Sequence, residues 1–253
     1  MVNYWIEIKK VIKKADIVLE VVDARDPLST RSRKIENLAK RLGKKLIIVI
    51  NKADLVPKEV LDKWKRLFER EFPTIYIGAR DRLGTRWLWR IIKKLSDKKP
   101  VLVAVVGLPN VGKSTIINIL RGRKSAGTSP IAGFTKSTLT VRAATWLKVI
   151  DTPGIIPYGK EDQLALRGAL RPESLEDPLT PALKLLEEII SHKPEIIREV
   201  YKVEVDSAEE TLKRIAVRRG LLTKGGVINI EEAARIVIRD WQTGKIKYYR
   251  LPP

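Results

Sequence analysis

The sequence predicts an α/β protein. A doubly wound, six-stranded, mostly parallel sheet occupies residues 1–162, and a small α-helical domain follows over 163–253. Two observations carry this. In the first part, short β-branched runs alternate with helix-length segments, and near-continuous apolar strands separated by helices belong to a parallel sheet covered on both faces. After residue 163 the strand signal fades and capped amphipathic segments take over.

The strands read in order as IVLEVVDA (17–24), KLIIVI (45–50), TIYIG (74–78), VLVAVVG (101–107), TLTVRAA (138–144) and WLKVI (146–150). Helix-length segments 31–42, 58–71 and 86–96 separate the early ones. The last two runs lie close enough for an antiparallel hairpin turning near Ala144–Trp146. In the helical part, DPLTPALKLLEEIISH offers Thr180 as cap and Pro181 next, with apolar residues at 182, 183, 185, 186, 189 and 190. DSAEETLKRIAVRRG is capped by Asp206 or Ser207 and stopped by Gly220. NIEEAARIVIRDWQTG starts at Asn229 and stops near Gly244.

Composition excludes several chemistries. There is no cysteine, hence no disulfide scaffold, thiolate metal site or cysteine nucleophile. The single histidine, His192, excludes a zinc site built on histidines and is expected at a helix end. The opening MVNYWIEIKKVIKKAD has no apolar core like that of a secretory signal, and no run of about 18 apolar residues could span a membrane. A cytoplasmic protein without membrane attachment is expected. The net charge of +20 points to a polyanion, with nucleic acid first. Residues 1–162 hold 34 Lys and Arg against 16 Asp and Glu, so the excess lies mainly there.

Residues 107–114, GLPNVGKS, fit G-x-x-x-x-G-K-[ST] between a strand and a helix. Gly107 and Gly112 let the backbone wrap so that its amides face phosphate oxygens. Lys113 brings charge to the terminal phosphates, Ser114 offers a hydroxyl to Mg²⁺, and the helix N-terminus adds its dipole. Pro109, Asn110, Val111 and Thr115 complete the candidate contacts in this stretch.

Four further strings suit the same ligand. NKAD (51–54) ends the second strand; Asp54 can accept from both guanine N1 and N2, Asn51 can reach N7, and the Lys52 stem can lie along the base. IGAR (77–80) ends the third strand, with Gly78, Ala79 and Arg80 as candidate contacts and the Ala79 amide aimed at guanine O6. DTPG (151–154) supplies Asp151 for the Mg²⁺ water shell and Gly154 for a γ-phosphate. GFTKST (133–138) lies in a Gly/Ser/Thr-rich loop and supplies Thr135 as a switch ligand to Mg²⁺. Base strings precede phosphate strings here, the reverse of the ordinary GTPase order, and SDKKP (96–100) looks like the joint between the old termini.

This set in this order, with the early DARDP (23–27) and the late KGGVINIEEAARIVIRDWQTGKI, resembles the circularly permuted GTPases of the YlqF/YawG family over the whole chain. The resemblance implies a P-loop GTPase that uses GTP, GDP and Mg²⁺ and binds the large ribosomal subunit or its precursor, through rRNA, during assembly. A monomer is expected. Alternatives are a nucleotide-gated RNA-binding scaffold with negligible turnover and a tRNA-modification or other translation GTPase. Ile155 and Ile156 stand where Ras-like enzymes place a water-orienting glutamine, so slow hydrolysis is expected. Some relatives carry an N-terminal histidine, which this chain lacks. In similar GTPases an asparagine at the position of Asn110 helps hold K⁺, which makes it a catalytic candidate beside Lys113, Thr135 and Gly154.

Asp23 and Arg25 are expected to pair and order their loop. In the helical domain Arg218, Arg219, Lys224, Lys245 and Lys247 lie near Trp241, Tyr248 and Tyr249, with the rings expected in the core. Trp87 and Trp89, amid Arg82, Arg86 and Arg90, are the best candidates for exposed stacking.

Overall fold

The computed structural model describes residues 4–78, 83–122, 139–152, 160–223 and 225–253. Its sheet runs β3-β2-β1-β4-β6-β5. The strands are β1 (Ile17–Asp23), β2 (Lys45–Asn51), β3 (Thr74–Ile77), β4 (Val101–Val106), β5 (Leu139–Ala144) and β6 (Leu147–Asp151). All neighbours pair in parallel except β5 with β6, the expected hairpin.

The alternation of side chains divides the core in two. Val18, Val22, Ile48, Ile50 and Ala104 face a layer made by α1 (Tyr4–Lys14), α3 (Arg33–Arg41) and α4 (Lys58–Glu69). Leu19, Val21, Ile47, Val103 and Val105 face α5 (Thr85–Leu95) and α6 (Lys113–Leu120). Both faces are covered, which is why these strands are apolar at nearly every position. A short α2 (Pro27–Thr30) follows β1, capped by Asp26, whose carboxylate accepts from the Ser29 amide at 3.2 Å. Sequence periodicity did not single out α1 or α2. Residues 96–100 connect α5 to β4.

Two compact units result: Met1–Ile156 with Tyr249–Pro253, and Pro157–Tyr248. The sequence placed 163–253 in one helical domain, whereas its last five residues pack with the sheet. There the Arg250 amide donates to the Arg25 carbonyl at 2.8 Å, and the Trp64 indole donates to the Arg250 carbonyl at 3.2 Å. The Arg250 guanidinium pairs with Asp26.

The helical unit comprises α7 (Glu161–Leu166), α8 (Leu179–His192), α9 (Pro194–Tyr201), α10 (Ala208–Arg218) and α11 (Ile230–Thr243). Ser207 and Asn229 cap α10 and α11 through the Glu210 and Glu232 amides at 3.2 and 3.0 Å. The cap of α8 differs from the expected Thr180. That helix starts two residues earlier than Pro181, at Leu179, and Asp177 accepts from the Leu179 and Thr180 amides at 3.0 and 3.1 Å. Trp241 is buried, and its indole donates to the Leu166 carbonyl at 2.9 Å. His192 ends α8 on the surface. Among the described residues no helix is long and apolar enough to cross a membrane.

One carboxyl sits inside the sheet. Glu20, in the middle of β1, is fully buried and accepts from the Ser32 amide at 2.5 Å. Burial, and the neighbouring Glu36 carboxylate, push its pKa well above the usual carboxylate value. Glu36 is itself held by Arg31 and Arg33. Folded protein therefore binds a proton at Glu20 that the unfolded chain releases. The resulting stability is present below the ordinary glutamate pKa and is lost as pH rises through the raised one. Glu20→Gln is expected to flatten this dependence: Tm against pH should match wild type in acid and exceed it in mild alkali.

Candidate nucleotide-binding site

NKAD, the start of IGAR, the phosphate loop and the start of DTPG lie at the carboxyl ends of β2, β3, β4 and β6, the ligand side of an open α/β sheet. β1 lies between β2, which ends at Asn51, and β4, which runs into the loop 107–112. Base string and phosphate string are thus next-but-one neighbours. They also touch: the Asn51 side-chain amide donates to the Val111 carbonyl at 2.8 Å. Asn51 Oδ1 is buried and, among the described residues, has no hydrogen-bond partner.

The phosphate loop requires glycine at both ends. Gly107 has φ +148°, and a Cβ there would lie 2.5 Å from the Val21 carbonyl oxygen. Gly112 has φ +96°, and a Cβ there would lie 2.0 Å from Asn51 Nδ2. Asn110 adopts the left-handed region at φ +59°. Leu108, Pro109 and Val111 are buried, whereas Ser114 is exposed in the first turn of α6 with half-buried Thr115 beside it. Lys113 is only 8% exposed, and its ammonium donates to the Leu108 carbonyl at 2.8 Å. A buried ammonium at a helix N-terminus, ringed by left-handed backbone, fits a polyphosphate.

At the base end, half-buried Asp54 follows a left-handed Lys52 at φ +62°. Gly78 approaches it so closely that an added Cβ would meet the Asp54 amide nitrogen at 3.3 Å. Gly78 also bridges to Leu83, which brings together the two ends of the loop holding Ala79 and Arg80. Asp151 ends β6 in register with Val105, and the next residue, Thr152, donates to the Val105 carbonyl at 2.7 Å. Ala79, Arg80, Arg82, Thr135, Gly154, Ile155, Ile156 and Lys224 lie outside the described residues.

Sequence reasoning paired Asp23 with Arg25 and missed a third member. Asp23 Oδ2 takes both the Arg25 guanidinium and the Lys52 ammonium at 2.8 Å. Burial alone would raise Asp23, but the two cations outweigh it and hold the carboxyl well below the usual range. Crowding by protein atoms lowers the Lys52 ammonium from its ordinary value, Asp23 opposes this, and Arg25 adds to it. The signal available in the sequence was positional: the register sets Asp23 beside Asn51, one residue before Lys52.

Two substitutions test this architecture. Asp23→Asn leaves two cations without their carboxylate and is expected to cost about 3 kcal/mol in urea unfolding. Gly112→Ala forces Cβ onto the Asn51 amide and is expected to lower Tm and weaken nucleotide binding together, measured by calorimetry.

Comparison with known proteins fits this geometry. A family model described as 50S ribosome-binding GTPase matches residues 102–214, and one described as Elongation factor Tu GTP binding domain matches residues 1–99. The two matches abut where α5 passes to β4. An uncharacterized GTP-binding protein of Methanocaldococcus jannaschii is 45% identical over 96% of this chain and 66% of its own length. The guanine nucleotide-binding protein-like NSN1 of Arabidopsis thaliana is 34% identical over 99% of this chain. This chain covers 48% of it, so it spans from just under half to about two thirds of these relatives' length. GNP-bound YlqF of T. maritima superposes with TM-score 0.66 at 30% identity, covering 95% of this chain and 94% of that one. Its GDP-bound form gives 0.68 at 30% identity, with 97% and 98% coverage. Strand order, permuted motif order and these similarities together establish that the chain belongs to the YlqF family of circularly permuted GTPases.

Proposed function

We propose that the protein binds GTP between loop 107–114 and the NKAD turn, hydrolyses it slowly, and acts in assembly of the large ribosomal subunit. The observation that carries this reading is the Asn51–Val111 hydrogen bond, which joins the base string to the phosphate string. Lys113 and the amides of the loop would hold the phosphates. Asp54 would accept from the guanine edge; adenine offers no donor pair there, and the carboxylate would lose both partners. Asp23 would keep Lys52 in place beneath the base.

Mg²⁺ would be held by Ser114, Thr135 and Asp151 and would neutralise charge developing on the phosphates. Asn110 is the residue proposed to hold K⁺, with Gly154 binding the γ-phosphate. Nothing aliphatic can orient water, so Ile155 accords with slow intrinsic turnover. The partner reading, large-subunit rRNA, draws support from the charge of +20 and from the 50S ribosome-binding description of the matching family.

Competition binding should favour GTP over ATP by about 100-fold or more, and Asp54→Ala should bring the two toward parity. Turnover should be faster in KCl than in NaCl, and Asn110→Ala should remove the difference. Multiple-turnover assays with and without large subunits test the assembly reading: stimulation and GTP-dependent co-sedimentation are expected. Binding to tRNA rather than subunits, or no turnover in either case, would overturn it.

A further inference from the structure

We propose that the outer face of α5 is an RNA-docking surface, where an unpaired base stacks on Trp87 while Arg86, Arg90, Lys93 and Lys94 take the neighbouring phosphates. This deepens the reading above and rests on it for RNA being a partner at all.

The helix TRWLWRIIKKL turns Leu88 and Ile92 into the core. Arg86, Trp87, Arg90, Lys93 and Lys94 are exposed, and their spacing gathers them on one face about 12 Å long. Trp87 is 63% exposed, and the Arg90 guanidinium lies 5.1 Å from its ring centroid. Trp89, by contrast, packs edge-on against Trp146 at 5.7 Å.

A basic surface on so cationic a protein needs a reason to be singled out. α5 carries four cations and no carboxylate. Every other described helix of eight residues or more contains an acidic residue, except α6, whose one cation is Lys113. Elsewhere cations are offset: Arg33 by Glu36 and Glu71, Lys65 by Glu69, Lys213 by Glu210, Arg235 by Glu231. Among the described residues no carboxylate pairs with the four on α5. Arg86 and Arg90, then Arg90 and Lys94, repel at the i,i+4 spacing. Arg86 also sits in the first turn, against the helix dipole. Folding does not reward this arrangement; a polyanion would.

The ring selects among polyanions. An acidic protein would use the charges and leave Trp87 idle. A bilayer surface calls for a broad apolar face, and α5 has turned its apolar face inward. Duplex RNA is read through backbone and shape, without a stacking platform. A tryptophan flanked by arginine and lysine suits unpaired RNA bases.

The test uses the whole chain, a labelled unstructured RNA oligonucleotide and a duplex of the same length, with anisotropy read over a salt series. Trp87→Ala should weaken single-strand binding about 5-fold or more, with Trp87→Phe restoring most of it. Neutralising Arg86, Arg90, Lys93 and Lys94 to Gln should lower the salt slope by about 3. Neutralising Lys13, Lys14, Lys63 and Arg66, exposed on α1 and α4, should lower affinity less. Unchanged Tm and unchanged GTP affinity in the α5 variants exclude misfolding. If wild type binds RNA and the α5 variants bind equally well, or duplex binds as tightly as single strand, the α5 proposal falls alone. If wild type binds no RNA, the proposal falls together with the partner reading.

Discussion

A hydrogen bond of 2.8 Å between the Asn51 amide and the Val111 carbonyl ties together two strings that lie 60 residues apart. It exists because β1 is flanked in parallel by β2 on one side and β4 on the other. Parallel pairing puts all three carboxyl ends at one edge of the sheet, so chain order ceases to matter. The permuted arrangement works for that reason. Asn51, Asp54 and the loop 107–114 lie at that edge whichever of them was synthesised first. Gly112 shows how tight the junction is, since even a methyl group would collide with Asn51.

Much of this was legible in the sequence. Apolar runs located all six strands to within a residue or two, because strands buried on both faces have little freedom in composition. The phosphate loop was legible because its chemistry demands glycine and lysine at fixed offsets. Less visible were features created by proximity across the sheet. The bond from Asp23 to Lys52 depends on register, which composition does not encode. Glu20 looked like part of an ordinary strand; only the approach of Ser32 and Glu36 lets a carboxyl reside there. The α8 cap was misassigned because Asp177 and Thr180 both have side chains that suit the role, and the helix start decides between them.

The helical unit is held by different physics. Its core comes from faces of α8, α10 and α11, with Leu186, Leu212, Ile215, Val237 and Ile238 fully buried. Polar side chains fix its loops: the Gln242 amide donates to the Ala165 and Leu170 carbonyls at 3.0 and 2.9 Å, and the Tyr201 hydroxyl donates to Asp240 at 3.0 Å. Trp241 and Tyr248 serve this packing, as expected. Among the described residues the most exposed aromatic ring instead stands on the sheet-bearing unit, at Trp87.

The short segment from Tyr249 onward belongs to the sheet-bearing unit. Residues 157–248 form an excursion that leaves the sheet-bearing unit and returns to it, with Arg250 fastened at Arg25, Asp26 and Trp64. A single proteolytic nick inside that excursion would leave its C-terminal fragment still clasped to the sheet-bearing unit. Arg25 also grips Asp23, which grips Lys52, so the returning segment is joined through side chains to the NKAD turn.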